Sequence, residues 1–330
     1  MFQCFLVDKD EQNNISARFA SLAPSALPEG DVLIRVAWSA LNYKDALAAA
    51  GHPGVALALP LVPGIDALGT VVQSRDQRFT AGQTVFVSAA DFGTRHWGGW
   101  SEQAQVPADW CFAVPPGLEP AEMIALGTAG FTAAQSVDQI QQRLIDPQAG
   151  PVVVTGATGG VGVFAVMLLS QLGYHVVAST GKPDRAEWLQ ERGASEIIDR
   201  RELNDDSPRP LLSGRWAAAV DTVGGNTLAT VLRSTAAGGC VTACGLVGGQ
   251  QLNMTVYPFI LRGVGLQGID SANTSRDQRQ RIWNRLAGDY KIRNIPGIVQ
   301  EVEFARIETA IARIQQGQVA GRTLIRIESS

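Results

Sequence analysis

Short runs in which apolar and polar residues partly alternate fill the first part of the chain, and they predict β-strands rather than helices. Asp31-Val32-Leu33-Ile34-Arg35-Val36-Ala37-Trp38 enters through the turn-forming Pro28-Glu29-Gly30 and reads as a strand. Gly69-Thr70-Val71-Val72 and Thr84-Val85-Phe86-Val87 read likewise, with Ala81-Gly82 as the turn between them. A helical period is sustained here only after Asn42. From about residue 126 the texture changes to strands alternating with helices. Residues 152–155 form an apolar strand, and Val161, Phe164, Ala165, Leu168, Leu169 and Leu172 mark one face of a helix over 160–172. Further strands are expected at 175–179, 197–198, 217–221, 239–244 and 264–268, with helices around 186–190 and 227–232. Six parallel strands covered by helices make a doubly wound α/β sheet. Past residue 270, helical patterns at 276–288 and 306–316 precede a last strand, 322–327, expected to return to the first domain. The predicted division is 1–125, 126–269 and 270–330.

Bulk properties narrow the function classes. The chain has 330 residues, 45% of them apolar and 18% charged, and a net charge of -4. That balance provides no broad attraction for nucleic acid or an anionic membrane. No apolar run approaches the roughly 20 residues of a membrane span, and the N-terminus lacks the pattern of a secretory signal. A cytoplasmic protein without nucleic-acid or membrane partners is expected. Cys4, Cys111, Cys240 and Cys244 and the three histidines show no close metal-ligand spacing, so no metal is expected.

The chemistry concentrates at Val152-Val153-Val154-Thr155-Gly156-Ala157-Thr158-Gly159-Gly160-Val161-Gly162. A strand feeding glycines and then a helix lets backbone approach a diphosphate, whose charge meets free N–H groups at the helix start. The next strand ends Val176-Val177-Ala178-Ser179-Thr180-Gly181-Lys182, without the acid that usually holds an adenosine 2′-hydroxyl. Hydroxyls and a lysine suit a 2′-phosphate, although Lys182 is also readable as a solvated loop residue. Arg200, past the third strand, is a second candidate for that phosphate. NADPH is favoured over NADH.

The chain resembles the medium-chain dehydrogenase/reductase superfamily. Within it, the resemblance is to the zinc-free quinone oxidoreductase-like group and its acrylyl-CoA reductase branch. It rests on Ser39-Ala40-Leu41-Asn42-Tyr43-Lys44-Asp45, Pro63-Gly64-Ile65-Asp66, His96-Trp97-Gly98-Gly99, Gly127-Thr128-Ala129-Gly130-Phe131-Thr132-Ala133, Asp221-Thr222-Val223-Gly224 and Gly321-Arg322-Thr323-Leu324. These segments run in order over nearly the whole chain. The resemblance implies a GroES-like catalytic domain beside a six-stranded Rossmann domain. It also places Asn42 and Ile65 where zinc-dependent members carry Cys and His, and an isoleucine cannot bind zinc. NADPH contacts implied by resemblance are Tyr43, Thr158, Gly159, Gly160, Val161, Thr180, Gly181, Lys182, Arg200, Leu246, Ile260, Ser271 and Gln316. Lys182 stands where an arginine is common, keeping charge without the bidentate fork. Gln316 stands where relatives carry asparagine.

The implied reaction is reduction of a short enoyl-CoA, chiefly acryloyl-CoA to propionyl-CoA, with hydride added at Cβ and a proton at Cα. Charge growing on the thioester oxygen must then meet a fixed hydrogen-bond donor. Tyr43 is the candidate, since a phenol, with an ordinary pKa of about 10, stays protonated at neutral pH; packing against the nicotinamide is the alternative role. Asn42 followed by Asp45 is the kind of pair that caps a helix start, and this does not exclude a ligand contact. Asp66 reads as a buried carboxylate orienting its neighbours, or as a turn residue. Arg262, Arg276, Arg279 and Arg281 are available to CoA phosphates, against the plainer reading of a solvated face. The same hydride chemistry would serve quinones or α,β-unsaturated carbonyls, and a non-catalytic NADPH-binding protein is the remaining alternative. A homodimer joined through the 264–268 strand is expected.

Overall fold

The computed structural model describes residues 1–88 and 91–327. The chain divides into two units. One comprises Met1–Thr128, Ala272–Gly288 and the chain from Asn294 onward; the other comprises Ala129–Ser271 and Asp289–Arg293.

In the second unit the buried valines of Val152–Val154 form the central strand of a six-stranded sheet. Across the sheet the order is Glu196–Asp199, Val176–Thr180, Val152–Val154, Trp216–Asp221, Thr235–Ala243 and Gly265–Gly268, every pair parallel. Strand order therefore reverses between Val152–Val154 and Trp216–Asp221. Ligands of such sheets bind at the carboxyl ends of the strands at this switch point. Helix Gly160–Gln171 is buried at every position from Gly162 to Leu169, so it is apolar all round rather than on the one face its periodicity suggests.

The first unit holds a seven-stranded sheet, mostly antiparallel. Its order is Val299–Glu303, Arg322–Arg326, Val32–Leu41, Ala67–Ser74, Thr84–Val87 and Cys111–Ala113, with Gln103–Val106 also pairing Val32–Leu41. The terminal strand lies antiparallel to Val32–Leu41, with Thr323 opposite Leu41. Phe2, Phe5, Val36, Val85, Trp100 and Ile325 share its core. Trp283 stacks edge-on against Phe86 at 5.2 Å.

Several elements had no clear sequence signal, among them the following. The hairpin Phe2–Lys9/Ile15–Leu22 buries nearly all of its first strand, which masks alternation. Strand Val299–Glu303 is short and mostly polar. Helical structure over Pro120–Gln142 is interrupted at Gly127, whose φ of 48° and ψ of -152° are not helical, and the break blurs its period. Among the described residues no helix is long and apolar enough to cross a membrane.

Candidate active site

In the second unit, the turn after Val152–Val154 is built by glycines for physical reasons. Gly156 has a φ of 58°, and a Cβ there would meet the Thr222 hydroxyl. A Cβ on Gly162 would run into the Gly156 carbonyl, so the first turn of the helix is pressed onto the loop. Helix Gly160–Gln171 starts at Gly159 with no side-chain cap. Among the described residues, the N–H groups of Gly160, Val161 and Gly162 have no acceptor, which leaves them for an anion. The Ala157 N–H donates to the Ser179 carbonyl at 3.1 Å, joining this turn to the end of the second strand.

Thr180, Gly181 and Lys182 follow directly. The Lys182 N–H donates to the Thr180 hydroxyl at 3.0 Å. Burial, reinforced by Arg185, lowers the Lys182 pKa. Arg200 is exposed and makes no hydrogen bond or ion pair among the described residues, and its side chain lies across Gly181. A Cβ at residue 181 would come within 2.7 Å of Arg200 Cδ, so only glycine leaves that path open. Asp199, the nearby acid, is held by Arg201 at 2.9 Å, and hydrogen bonds from Arg201 bring its pKa down to about 2. Two cations and a hydroxyl thus follow the end of the second strand, with no unpaired acid beside them among the described residues.

Sequence reading missed the clasp across the switch point. The Thr155 hydroxyl donates to Asp221 Oδ1 at 2.7 Å and accepts from the Thr222 N–H at 2.9 Å. Thr222 in turn donates to the Thr155 carbonyl at 2.8 Å, and the Gly224 N–H donates to Asp221 Oδ2 at 2.7 Å. Burial raises the Asp221 pKa, opposed by these donors. An acid closing the apolar run 216–221 was the available signal. Leu246, 62% exposed, belongs to a loop that packs on Gly224. Ile260 is exposed on helix Tyr257–Arg262, and Ser271 ends the longer of the unit's two segments.

In the first unit, Tyr43 opens helix Tyr43–Ala49, is 42% exposed, and its hydroxyl has no partner among the described residues. Asn42 and Asp66 lie behind it in a buried polar cluster. Asp66 accepts the Thr128 hydroxyl at 2.6 Å, the Thr128 N–H at 3.0 Å and Asn42 Nδ2 at 2.9 Å. Arg322 Nη2 stands 3.6 Å from its Oδ2. Asp66 is fully buried, and both of its carboxylate oxygens are taken by these donors. Asp45 caps the helix by accepting the Asn42 N–H at 2.8 Å, and it also takes the Ile65 N–H at 2.8 Å. Burial, reinforced by Asp66, pushes the Asp45 pKa up to about 7 against these donors. The capping pair of Asn42 and Asp45 expected from sequence is present, whereas Arg322 and Thr128 gained no role from sequence because their partners lie far along the chain. Gln316, also in this unit, is exposed and accepts from Gln318 Nε2 at 2.8 Å. Trp100 is fully buried, its indole N–H donating to the Ala40 carbonyl.

The donor set does not fit zinc. Ile65 offers no ligand atom, and Asn42 spends its Oδ1 on Arg322 Nη1 at 2.9 Å, beside a buried guanidinium that would repel a dication. Among the described residues no cluster of three or more His, Cys, Asp or Glu could hold a metal.

Two arginines considered for CoA are committed to the fold. Arg262 donates to the carbonyls of Arg233, Thr235 and Leu212. Arg276 donates to those of Asp109 and Cys111 and stacks on Phe112 at 4.7 Å.

Comparison with known proteins agrees with this geometry. Residues 28–116 match the alcohol dehydrogenase GroES-like domain, and residues 160–287 match the zinc-binding dehydrogenase family. Acrylyl-CoA reductase AcuI of Ruegeria pomeroyi is 42% identical over 330 residues, covering 100% of both chains. YhfP of Bacillus subtilis, provisionally named a quinone oxidoreductase, is 42% identical over 99% of both chains. The solved structure of the YhdH oxidoreductase from Salmonella enterica in complex with NADP has 44% identity and a TM-score of 0.94, over 99% of this chain and 100% of that one. The chain belongs to the medium-chain dehydrogenase/reductase superfamily, in the group that includes the AcuI and YhfP proteins.

Proposed function

We propose that the protein reduces the C=C bond of a short enoyl-CoA, chiefly acryloyl-CoA to propionyl-CoA, with NADPH and without a metal. The observation that carries this reading is the unpartnered hydroxyl of Tyr43 in a segment whose metal-ligand positions are filled by Asn42 and Ile65. When bound, NADPH supplies the hydride that adds to Cβ. The Thr158–Val161 turn holds the diphosphate, while Lys182, Arg200 and Thr180 hold the 2′-phosphate. Tyr43 donates a hydrogen bond to the thioester oxygen as negative charge builds there, the role an oxyanion donor fills at about 3–4 kcal/mol. Solvent supplies the proton that ends on Cα. Full-length identity to an acrylyl-CoA reductase supports the substrate class.

The test is steady-state kinetics with acryloyl-CoA, acrolein and a benzoquinone, each with NADPH and NADH. A kcat/KM for acryloyl-CoA at least about tenfold above the others is expected, and Tyr43→Phe should lower kcat about 10²-fold. Equal or faster quinone reduction favours the second reading, for which the kinship to YhfP speaks. Tight NADPH binding without turnover would point to a non-catalytic protein. The edge strand Gly265–Gly268 and the exposed Tyr257, Ile260 and Leu261 suit pairing with a second copy. Light scattering at micromolar concentration is expected to give a dimer mass, the protein working in the cytoplasm.

A further inference from the structure

We infer that Arg322 is the positioning residue for Tyr43, acting through Asn42; this rests on the donor role of Tyr43 proposed above. Tyr43 makes no hydrogen bond of its own, so its phenol takes its aim from the backbone that carries it. That backbone begins at Asn42, and Asn42 is gripped on every polar atom of its side chain. Its Oδ1 accepts from Arg322 Nη1 at 2.9 Å, and its Nδ2 donates to Asp66 Oδ2 at 2.9 Å and to Asp45 Oδ2 at 3.2 Å. Its N–H donates to Asp45. Its carbonyl accepts the N–H groups of Asp45 and Ala46 at 3.0 and 3.3 Å, the first bonds of the helix.

Arg322 is the only cation in this grip among the described residues. It comes from the terminal strand, 280 residues away, and is 2% exposed. Its Nε donates to the Ala125 carbonyl at 2.9 Å, just before the break at Gly127, and its Nη2 faces Asp66. One planar fork thus ties three segments together, with hydrogen-bond acceptors at Ala125 and Asn42 and a 3.6 Å ion-pair contact to Asp66. A lysine reaches one of these groups but not all three in fixed directions. Two buried carboxylates, Asp45 and Asp66, face this single guanidinium, so its removal takes the positive charge away from both and leaves them to their neutral donors. The terminal strand therefore sets the aim of a donor at the other end of the sequence.

A double-mutant cycle tests this. Arg322→Lys is made in the native chain and in the Tyr43→Phe chain, with folding verified by circular dichroism. Kinetics use whichever of acryloyl-CoA and benzoquinone the native protein reduces. Arg322→Lys is expected to lower kcat about tenfold or more with Tyr43 present and less than about threefold in the Phe background. The same loss in both backgrounds overturns the proposal. If Arg322→Lys does not fold, Asn42→Ser takes its place in the cycle. Hydrogen exchange at Asp45 and Ala46 serves as the readout independent of turnover, and Arg322→Lys is expected to quicken it. Unchanged exchange refutes the grip. If neither substrate is reduced, the functional reading falls while the exchange still decides the grip.

Discussion

Gly127→Ala probes the buried cluster from its least tolerant side. The residue sits at φ 48°, ψ -152°, a region open almost only to glycine, and a non-glycine residue there costs about 1–3 kcal/mol. Its new Cβ would lie 2.7 Å from Asp66 Oδ2 and 2.9 Å from Arg322 Nη2. Neither atom can yield cheaply, since Asp66 is 0% and Arg322 2% exposed. Forcing a buried pair apart costs about 3–5 kcal/mol. Together these give about 4–8 kcal/mol, much of a typical folding stability of about 5–15 kcal/mol. Gly82→Ala is the control, with a φ of 85° and nothing within 4 Å of its Cβ, so it bears only the backbone cost of about 1 kcal/mol. Urea unfolding followed by fluorescence reads both, because Trp100 and Trp283 are buried in the same unit. If the two variants unfold within about 1 kcal/mol of each other, the cluster does not constrain Gly127 as argued.

Other consequences are open to direct measurement. Replacing either Lys182 or Arg200 by Gln should raise the KM for NADPH about 10- to 100-fold and leave that for NADH nearly unchanged, each charged hydrogen bond being worth about 1.5–3 kcal/mol. Asp45 is an acid whose pKa rises from 3.8 to about 7 on folding, so its stabilising contribution is complete below pH 3.8 and is lost as pH rises to about 7. Thermal midpoints from pH 4 to 7.5 should therefore fall less steeply in Asp45→Asn than in the native chain. Asp221, shifted in the same direction, is common to both proteins and cancels in the comparison. Arg262→Ala should lower the thermal midpoint while leaving the KM for acryloyl-CoA within about twofold, because its donors serve three backbone carbonyls. A large rise in that KM would return Arg262 to the substrate.

The Rossmann unit was legible because its signals are local. The strand at 152–154 runs into glycines and an apolar helix within twenty residues, and Val176–Thr180 and Trp216–Asp221 are compact buried runs. Helix Pro120–Gln142 was harder to read, because Gly127 breaks its period between Ala125, which accepts from Arg322, and Thr128, which donates to Asp66. Arg262 and Arg276 read as surface charge because the carbonyls they hold belong to other segments.

By itself, then, the sequence determined the glycine turn after an apolar strand and pointed to a phosphorylated cofactor, and resemblance added that Asn42 and Ile65 stand where zinc-dependent members carry ligands. Each depends on residue type at one place or on neighbours a few positions apart. Tertiary structure alone decided that Arg200 lies across Gly181, that Asp221 clasps Thr155, and that Arg322 meets Asn42 and Asp66. Those arrangements join groups 19 to 280 residues apart, and no local periodicity encodes which buried charge will find which partner. What brings them together is the cost of leaving a buried polar group unpaired, which is settled only when the sheets and helices have closed around it.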